Sequence, residues 1–134
     1  LDPGTSYELL QMMQEVVRRG SGRAARLDGI PVAGKTGTTN DNVDAWFVGM
    51  TPTHTVAVWV GTDGPRSLGE NETGGRAALP GWVQIVEALG ETPGQLRPAP
   101  PEVMWAPFDG QWVALPRGGG PSRVGPAPLP AFGA

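Results

Sequence analysis

The first apolar positions, Leu9, Leu10, Met12, Met13, Val16 and Val17, recur at helical spacing and predict an amphipathic helix over residues 5–19 with one buried stripe. Thr5-Ser6-Tyr7-Glu8 fits a capping box, with Thr5 accepting from the first turn and Glu8 reaching back. Arg18 and Arg19 suit the negative end of the helix dipole, and Gly20 can take the left-handed stop. After a loop at 21–31 the period shortens. Strands are expected at about 32–39, 44–50 and 55–62, joined by Asn40-Asp41-Asn42 and Thr51-Pro52-Thr53. Connections this short make neighbours antiparallel, so the expected class is α+β: a three-stranded antiparallel meander flanked by helices.

The strands differ in character. Val56-Ala57-Val58-Trp59-Val60 is apolar on both faces, which predicts cover on both sides. The first strand, with Gly34, Thr36 and Thr38 alternating with Ala33, Lys35 and Gly37, is too small and polar for a core. It reads as an edge that receives something. A polar loop at 63–75 leads to a second helix over 77–89, with Leu79, Trp82, Val83, Val86 and Leu89 on one stripe and Pro80 in its first turn. Residues 103–105 and 111–115, bridged by Asp109-Gly110, predict a hairpin. Residues 116–134 hold five prolines and five glycines in nineteen positions, a composition that predicts a disordered tail. His54 reads as a solvated turn residue. Trp46, Trp59 and Trp82 fall on core-facing patterns, which leaves Trp105 and Trp112 for the surface.

Composition narrows the function classes. A chain of 134 residues is one domain at most. It starts at Leu1, so it is expected to be part of something longer, with any signal or anchor upstream. Without cysteine there is no disulfide framework or thiolate metal site, and one histidine excludes a His-rich site; no metal or cofactor is called for. Net charge is -3 and the nine arginines are scattered, so there is no nucleic-acid footprint. No apolar run approaches the length of a membrane span.

Lys35 is the only lysine. It closes Gly29-Ile30-Pro31-Val32-Ala33-Gly34-Lys35-Thr36, a literal match to the phosphate-loop pattern G-x-x-x-x-G-K-[ST]. That pattern needs a strand before it and a helix starting at the lysine. Here the residues before it are extended and apolar, and Gly-Thr-Thr-Asn-Asp after it starts a helix poorly, which argues against a P-loop NTPase. The same residues also read as the K-T-G strand of serine acyl-transfer enzymes. A peptide laid along a sheet edge is held by main-chain bonds. Gly37 removes a side chain where that peptide approaches. Thr36 and Thr38 offer hydroxyls to a terminal carboxylate. Lys35 supplies positive charge, and a backbone N–H past the glycine can face a developing oxyanion.

Three stretches give the motif its context: Val32 to Asn40, Asp44-Ala45-Trp46-Phe47-Val48-Gly49-Met50-Thr51-Pro52, and Val56 to Gly61. With Met13 to Gly22 upstream and Gly74 to Trp82 downstream, they resemble the class A penicillin-binding proteins over roughly residues 5–109. The resemblance implies part of a β-lactamase/transpeptidase-like fold. Residues 1–92 would be the C-terminal portion of a transpeptidase domain, 93–115 a Pro-rich extension and 116–134 the tail. It implies D,D-transpeptidase chemistry on the D-Ala-D-Ala end of peptidoglycan stem peptides, acylation by β-lactams, and no cofactor. Lys35, Thr36, Gly37 and Thr38 would bind substrate, with Lys35 and the Thr38 backbone N–H as the catalytic contributions. Asp44, Trp46 and Trp59 would be fold residues, anchoring a turn and filling the core. The implied location is extracytoplasmic, with the membrane reached only through an upstream anchor.

The family also needs S-x-x-K and S-x-N motifs. None of Ser6, Ser21, Ser67 and Ser122 has lysine three positions on or asparagine two positions on. The nucleophile is therefore expected from the remainder of the domain, with this chain inactive alone. A non-catalytic peptide-binding module is the alternative. The third strand is expected to present an unpaired apolar edge without flanking strands from that remainder, which favours self-association.

Overall fold

Helix α1, Pro3–Arg19, starts before the expected capping box because Asp2 caps it. The Thr5 N–H donates to Asp2 Oδ1 at 2.9 Å and the Thr5 hydroxyl to Oδ2 at 2.7 Å. Thr5 is thus a donor inside the first turn, and Pro3 takes the position where a missing N–H costs nothing. Both bonds hold the Asp2 carboxyl below its usual range. The structure, a computed structural model, describes residues 1–64 and 66–116. Residues 117–134 of the expected tail lie outside them.

The chain divides into two compact units, one made of Leu1–Met12 and the segment from Arg97 onward, the other of Met13–Leu96. In the first, β4 (Val103–Phe108) and β5 (Gln111–Pro116) pair antiparallel. Asp109 and Gly110 between them both take positive φ, 47° and 73°, as a tight hairpin turn requires. Tyr7 packs edge-on against Trp105 at 6.1 Å, beside Val103 and Ala114. Trp105 is therefore a packing residue and not free for the surface.

α1 is shared between the units, so its stripe does not meet a single core. Tyr7 joins one cluster and Val17 the other. Leu9 and Met12 are exposed, and Leu10, Met13 and Val16 are half-buried, against the single buried stripe that the periodicity predicts.

The second unit holds a three-stranded antiparallel sheet in the order β1 (Ala33–Thr38), β2 (Asp44–Met50), β3 (Thr55–Gly61). A π-helical turn, Gly74–Ala78, runs into α2, Leu79–Leu89, which ends on Gly90 in the left-handed conformation at φ 67°. Register sorts the side chains onto two faces. Thr36, Phe47 and Val58 lie in one row, with Thr38, Ala45 and Val60, and Gly34, Gly49 and Val56, on the same side. That face carries the core: Phe47, Ala45, Val32, Ala78, Leu79, Val86 and Trp82, with Trp82 wholly buried. Trp82 meets Phe47 edge-on at 5.3 Å and donates its Nε1–H to the Val56 carbonyl at 3.1 Å. It lies on bare backbone, because a Cβ on Gly49 would come within 2.5 Å of its ring.

The other face is open. Lys35, Ala57, Trp46 and Trp59 are exposed there, the two tryptophans at 43% and 48%. Trp46 and Trp59 are cross-strand partners with rings 6.3 Å apart, and Trp59 Nε1 donates to Asp44 Oδ1 at 2.9 Å. The expectation that they are core residues is corrected: alternation places them opposite Phe47, and among the described residues no element of this unit packs over them. β3 is correspondingly covered on one side instead of two, and among the described residues it ends the sheet with no strand beyond it. Asp44 does anchor its turn, since Thr39 Oγ1 accepts from the Asp44 N–H at 2.9 Å and the Thr39 N–H donates to the Asp44 carbonyl at 3.0 Å.

His54 is not simply solvated. Glu91, just past α2 and with a side chain only 2% exposed, accepts from the Thr51 hydroxyl at 2.6 Å and from His54 Nδ1 at 2.8 Å. Thr53 donates to its other oxygen. Burial pushes the Glu91 carboxyl up, but the bonds from Thr51, Thr53 and His54 and the imidazole charge outweigh it, leaving it below the ordinary 4.5. This clamp ties the β2–β3 turn to the end of α2.

Two predictions follow from this packing. Gly49→Ala forces Trp82 off its seat, and we expect a loss of about 1–3 kcal/mol in urea unfolding. Because the folded Glu91 carboxyl is more acidic than the unfolded one, the clamp's stabilisation is complete above about pH 4.5 and is lost as pH falls through the folded value. Glu91→Ala should cost about 1–3 kcal/mol at pH 7 and flatten the acid limb of the melting-temperature profile below about pH 4.5.

Candidate functional site

β1 is a free edge. The Thr39 N–H donates to the Asp44 carbonyl just past its end, and residues along an antiparallel ladder alternate between bonded and non-bonded pairs. Counting back, Gly37 and Lys35 spend their N–H and C=O groups on β2, whereas those of Thr36 and Thr38 point away from the sheet. The Thr36 carbonyl is satisfied by Lys35 Nζ at 2.6 Å. The outward Thr38 N–H lies on the open side.

The four residues singled out in the sequence therefore divide by direction. Lys35 and Gly37 project to the open face beside Trp46, where a Cβ on Gly37 would touch only the Trp46 side chain, at 3.3 Å. Thr36 and Thr38 project to the α2 face and line a cleft of about 400 Å³ with Ser21, Thr73, Gly75 and Arg76. Lys35 is not part of that lining.

Main-chain contact builds the cleft. A Cβ on Gly74 would lie 2.2 Å from the Trp46 carbonyl oxygen and 2.5 Å from that of Gly37. Only glycine lets the π-helical turn lie flat on the β1–β2 backbone, and such turns recur at functional sites. The Gly74 N–H donates to Thr38 Oγ1 at 3.0 Å, and Ser21 Oγ lies 2.7 Å from Thr36 Oγ1. Each threonine hydroxyl is thus fixed by one partner. Since Thr38 Oγ1 is already an acceptor, its own proton is free to donate into the cleft. The loop before the turn is itself pinned, with the Leu68 N–H donating to the Asn42 carbonyl at 2.8 Å and Asn42 Nδ2 to that of Glu70 at 3.2 Å.

The phosphate-loop reading fails on this geometry. Residues 33–38 form a strand through the lysine, and no helix starts there. Among the described residues no cluster of His, Asp and Glu could hold a metal ion, and no helix is long and apolar enough to cross a membrane.

The penicillin-binding protein transpeptidase domain model matches residues 1–86, which include this strand edge and the cleft beside it. The chain belongs to this family. Penicillin-binding protein 1A of Neisseria flavescens is 51% identical over 87 residues, covering 64% of this chain and 11% of that protein. Penicillin-binding protein 1A of Pseudomonas aeruginosa is 42% identical over 106 residues, covering 78% and 13%. The crystal structure of Penicillin-Binding Protein 1A from Haemophilus influenzae superposes with a TM-score of 0.59 at 30% identity, over 69% of this chain and 16% of that one. The chain is a class A penicillin-binding protein transpeptidase region with the α+β fold, and it spans about an eighth of the length of these curated relatives.

The sequence reading assigned no role to Ser21, Thr73, Gly74 or Arg76. The available signal was the glycine pair Gly74-Gly75 ahead of a helix, which marks close backbone approach. Thr38→Val strands the Gly74 N–H, whereas Thr36→Val removes only an exposed hydroxyl contact. We expect Thr38→Val to cost about 1–2 kcal/mol and Thr36→Val under half of that, measured by thermal unfolding.

Proposed function

We propose that this chain supplies the substrate-holding strand of a peptidoglycan D,D-transpeptidase. The outward-facing main chain at Thr36 and Thr38 carries the reading, because an extended stem peptide ending in D-Ala-D-Ala can add to that edge as one more strand. The terminal carboxylate is taken by the Thr36 and Thr38 hydroxyls. Lys35, on the open face, supplies the positive field on the side from which the nucleophile approaches, and Gly37 keeps that side clear.

The reaction divides between this chain and polypeptide outside it. A serine hydroxyl, contributed by the remainder of the transpeptidase domain, attacks the carbonyl of the penultimate D-Ala. The oxyanion forms against the Thr38 N–H, where one donor is worth about 3 kcal/mol in the transition state. The C–N bond breaks, D-Ala leaves with the proton, and the acyl group passes to an amine of a second strand. β-Lactams place a carbonyl and a carboxylate in the same relation and acylate the same serine. The setting is extracytoplasmic, with an anchor elsewhere in the parent protein. The missing S-x-x-K also supports a second reading, in which the edge holds peptide without turnover.

A fluorescent penicillin should leave this chain unlabelled while it binds a D-Ala-D-Ala peptide weakly and saturably. Thr38→Pro removes the outward N–H together with the hydroxyl that accepts from Gly74, but leaves the ladder to β2, so the sheet survives and peptide binding should be lost. Covalent labelling of the chain would defeat the claim that the nucleophile lies elsewhere, and binding untouched by Thr38→Pro would defeat the edge.

A further inference from the structure

The cleft beside β1 is richer than the strand motif requires. It is lined by Ser21, Thr36, Thr38, Thr73, Gly75 and Arg76, four hydroxyl-bearing residues and one arginine, with no acidic residue among them. The proton inventory makes it a donor site. Thr38 Oγ1 accepts from the Gly74 N–H and has its own proton to give. Ser21 and Thr36 share a single hydrogen bond at 2.7 Å, so one of their two protons is left over.

The one charged residue of the lining is Arg76. Lys35 projects from the opposite face of the strand, and its ammonium is held on the Thr36 carbonyl at 2.6 Å. Arg76 forms no ion pair among the described residues, where the pairs are Glu15 with Arg18 and Arg19, and Glu91 with His54. Its backbone is fixed nonetheless, since the Arg76 N–H donates to the Thr73 carbonyl at 2.9 Å within the turn that Gly74 seats on the sheet. Gly75 keeps the wall close: a Cβ there would lie 3.1 Å from the Ser21 carbonyl oxygen and 3.7 Å from Thr36 Cγ2.

We propose that Arg76 is a specificity-determining residue that selects an ionised carboxylate over a neutral end group, with Ser21 orienting the Thr36 hydroxyl toward the same ligand. This rests on the strand reading above and adds to it the cationic residue that lines the cleft. A planar guanidinium on the same cleft as two hydroxyl donors can match the two oxygens of a carboxylate, which a neutral amide or ester cannot reproduce. Lys35 is then left to the open face, so the two cations of the site serve different groups.

The test titrates the full chain with N-acetyl-D-alanyl-D-alanine and, separately, with its C-terminal amide, followed by amide chemical-shift changes. The unmodified chain should prefer the acid. Arg76→Gln should weaken the acid by about tenfold, the scale of one hydrogen bond to a charged group, and leave the amide unchanged, so the preference collapses. Arg76→Lys should restore part of it. Melting temperatures should match the parent, because Arg76 holds no structural ion pair. If Arg76→Gln keeps the acid preference while Thr38→Pro still abolishes binding, Arg76 is not the selector and the strand reading stands. If neither ligand binds the unmodified chain, or Thr38→Pro changes nothing, both fail together.

Discussion

Everything at the cleft depends on one contact, the indole of Trp82 seated on the bare backbone of Gly49. That seat presses the start of α2 onto the sheet, and the Nε1 bond to the Val56 carbonyl fixes its rotation. Because α2 continues directly from the turn at Gly74–Ala78, the same contact decides where Thr73, Gly75 and Arg76 stand relative to β1. Gly74 repeats the device one layer on, with a backbone N–H on Thr38 in place of an indole on a carbonyl. Two glycines without side chains thus bring a helix and a strand edge close enough to line one cleft. Burying an aromatic of this size stabilises by a few kcal/mol, which also holds a hydroxyl-lined, solvent-facing edge that contributes little stability of its own.

The elements themselves were legible, because hydrophobic period and turn chemistry are local properties. The strands at 33–38, 44–50 and 55–61 and the helix ending at Leu89 fall within two residues of the pattern. Residue roles that depend on tertiary neighbours were not. Trp46 and Trp59 satisfy a buried-strand pattern, yet they lie exposed, since periodicity reports which residues share a face but not whether anything covers it. The stripe of α1 misled for a related reason: its two ends serve different clusters. Asp2 displaced Thr5 as the cap because both types can start a helix, and only geometry chooses between them.

The site was half legible. Lys35-Thr36-Gly37-Thr38 announces itself through the odd chemistry of a lone lysine among glycines and threonines. Arg76 and Ser21 do not, since an arginine among nine and a serine in a Gly-rich loop carry no local signal, and they come near Thr36 only after about 40 and 15 residues of folded chain. The phosphate-loop match shows the converse. A pattern can be literally present and physically void when the backbone runs as a strand where a nest is needed.

The split of β1 into two faces has a consequence for how this segment can change over time. Neighbouring positions point to opposite sides, so deleting or inserting a single residue between Ala33 and Thr38 would exchange the ammonium for the hydroxyls and turn both sets the wrong way. Lengthening the polar stretch before Thr73 has no such effect, since the turn is re-seated by its own glycine. Natural variation should therefore accumulate as length differences in that stretch, while β1 tolerates replacement but not a shift in frame.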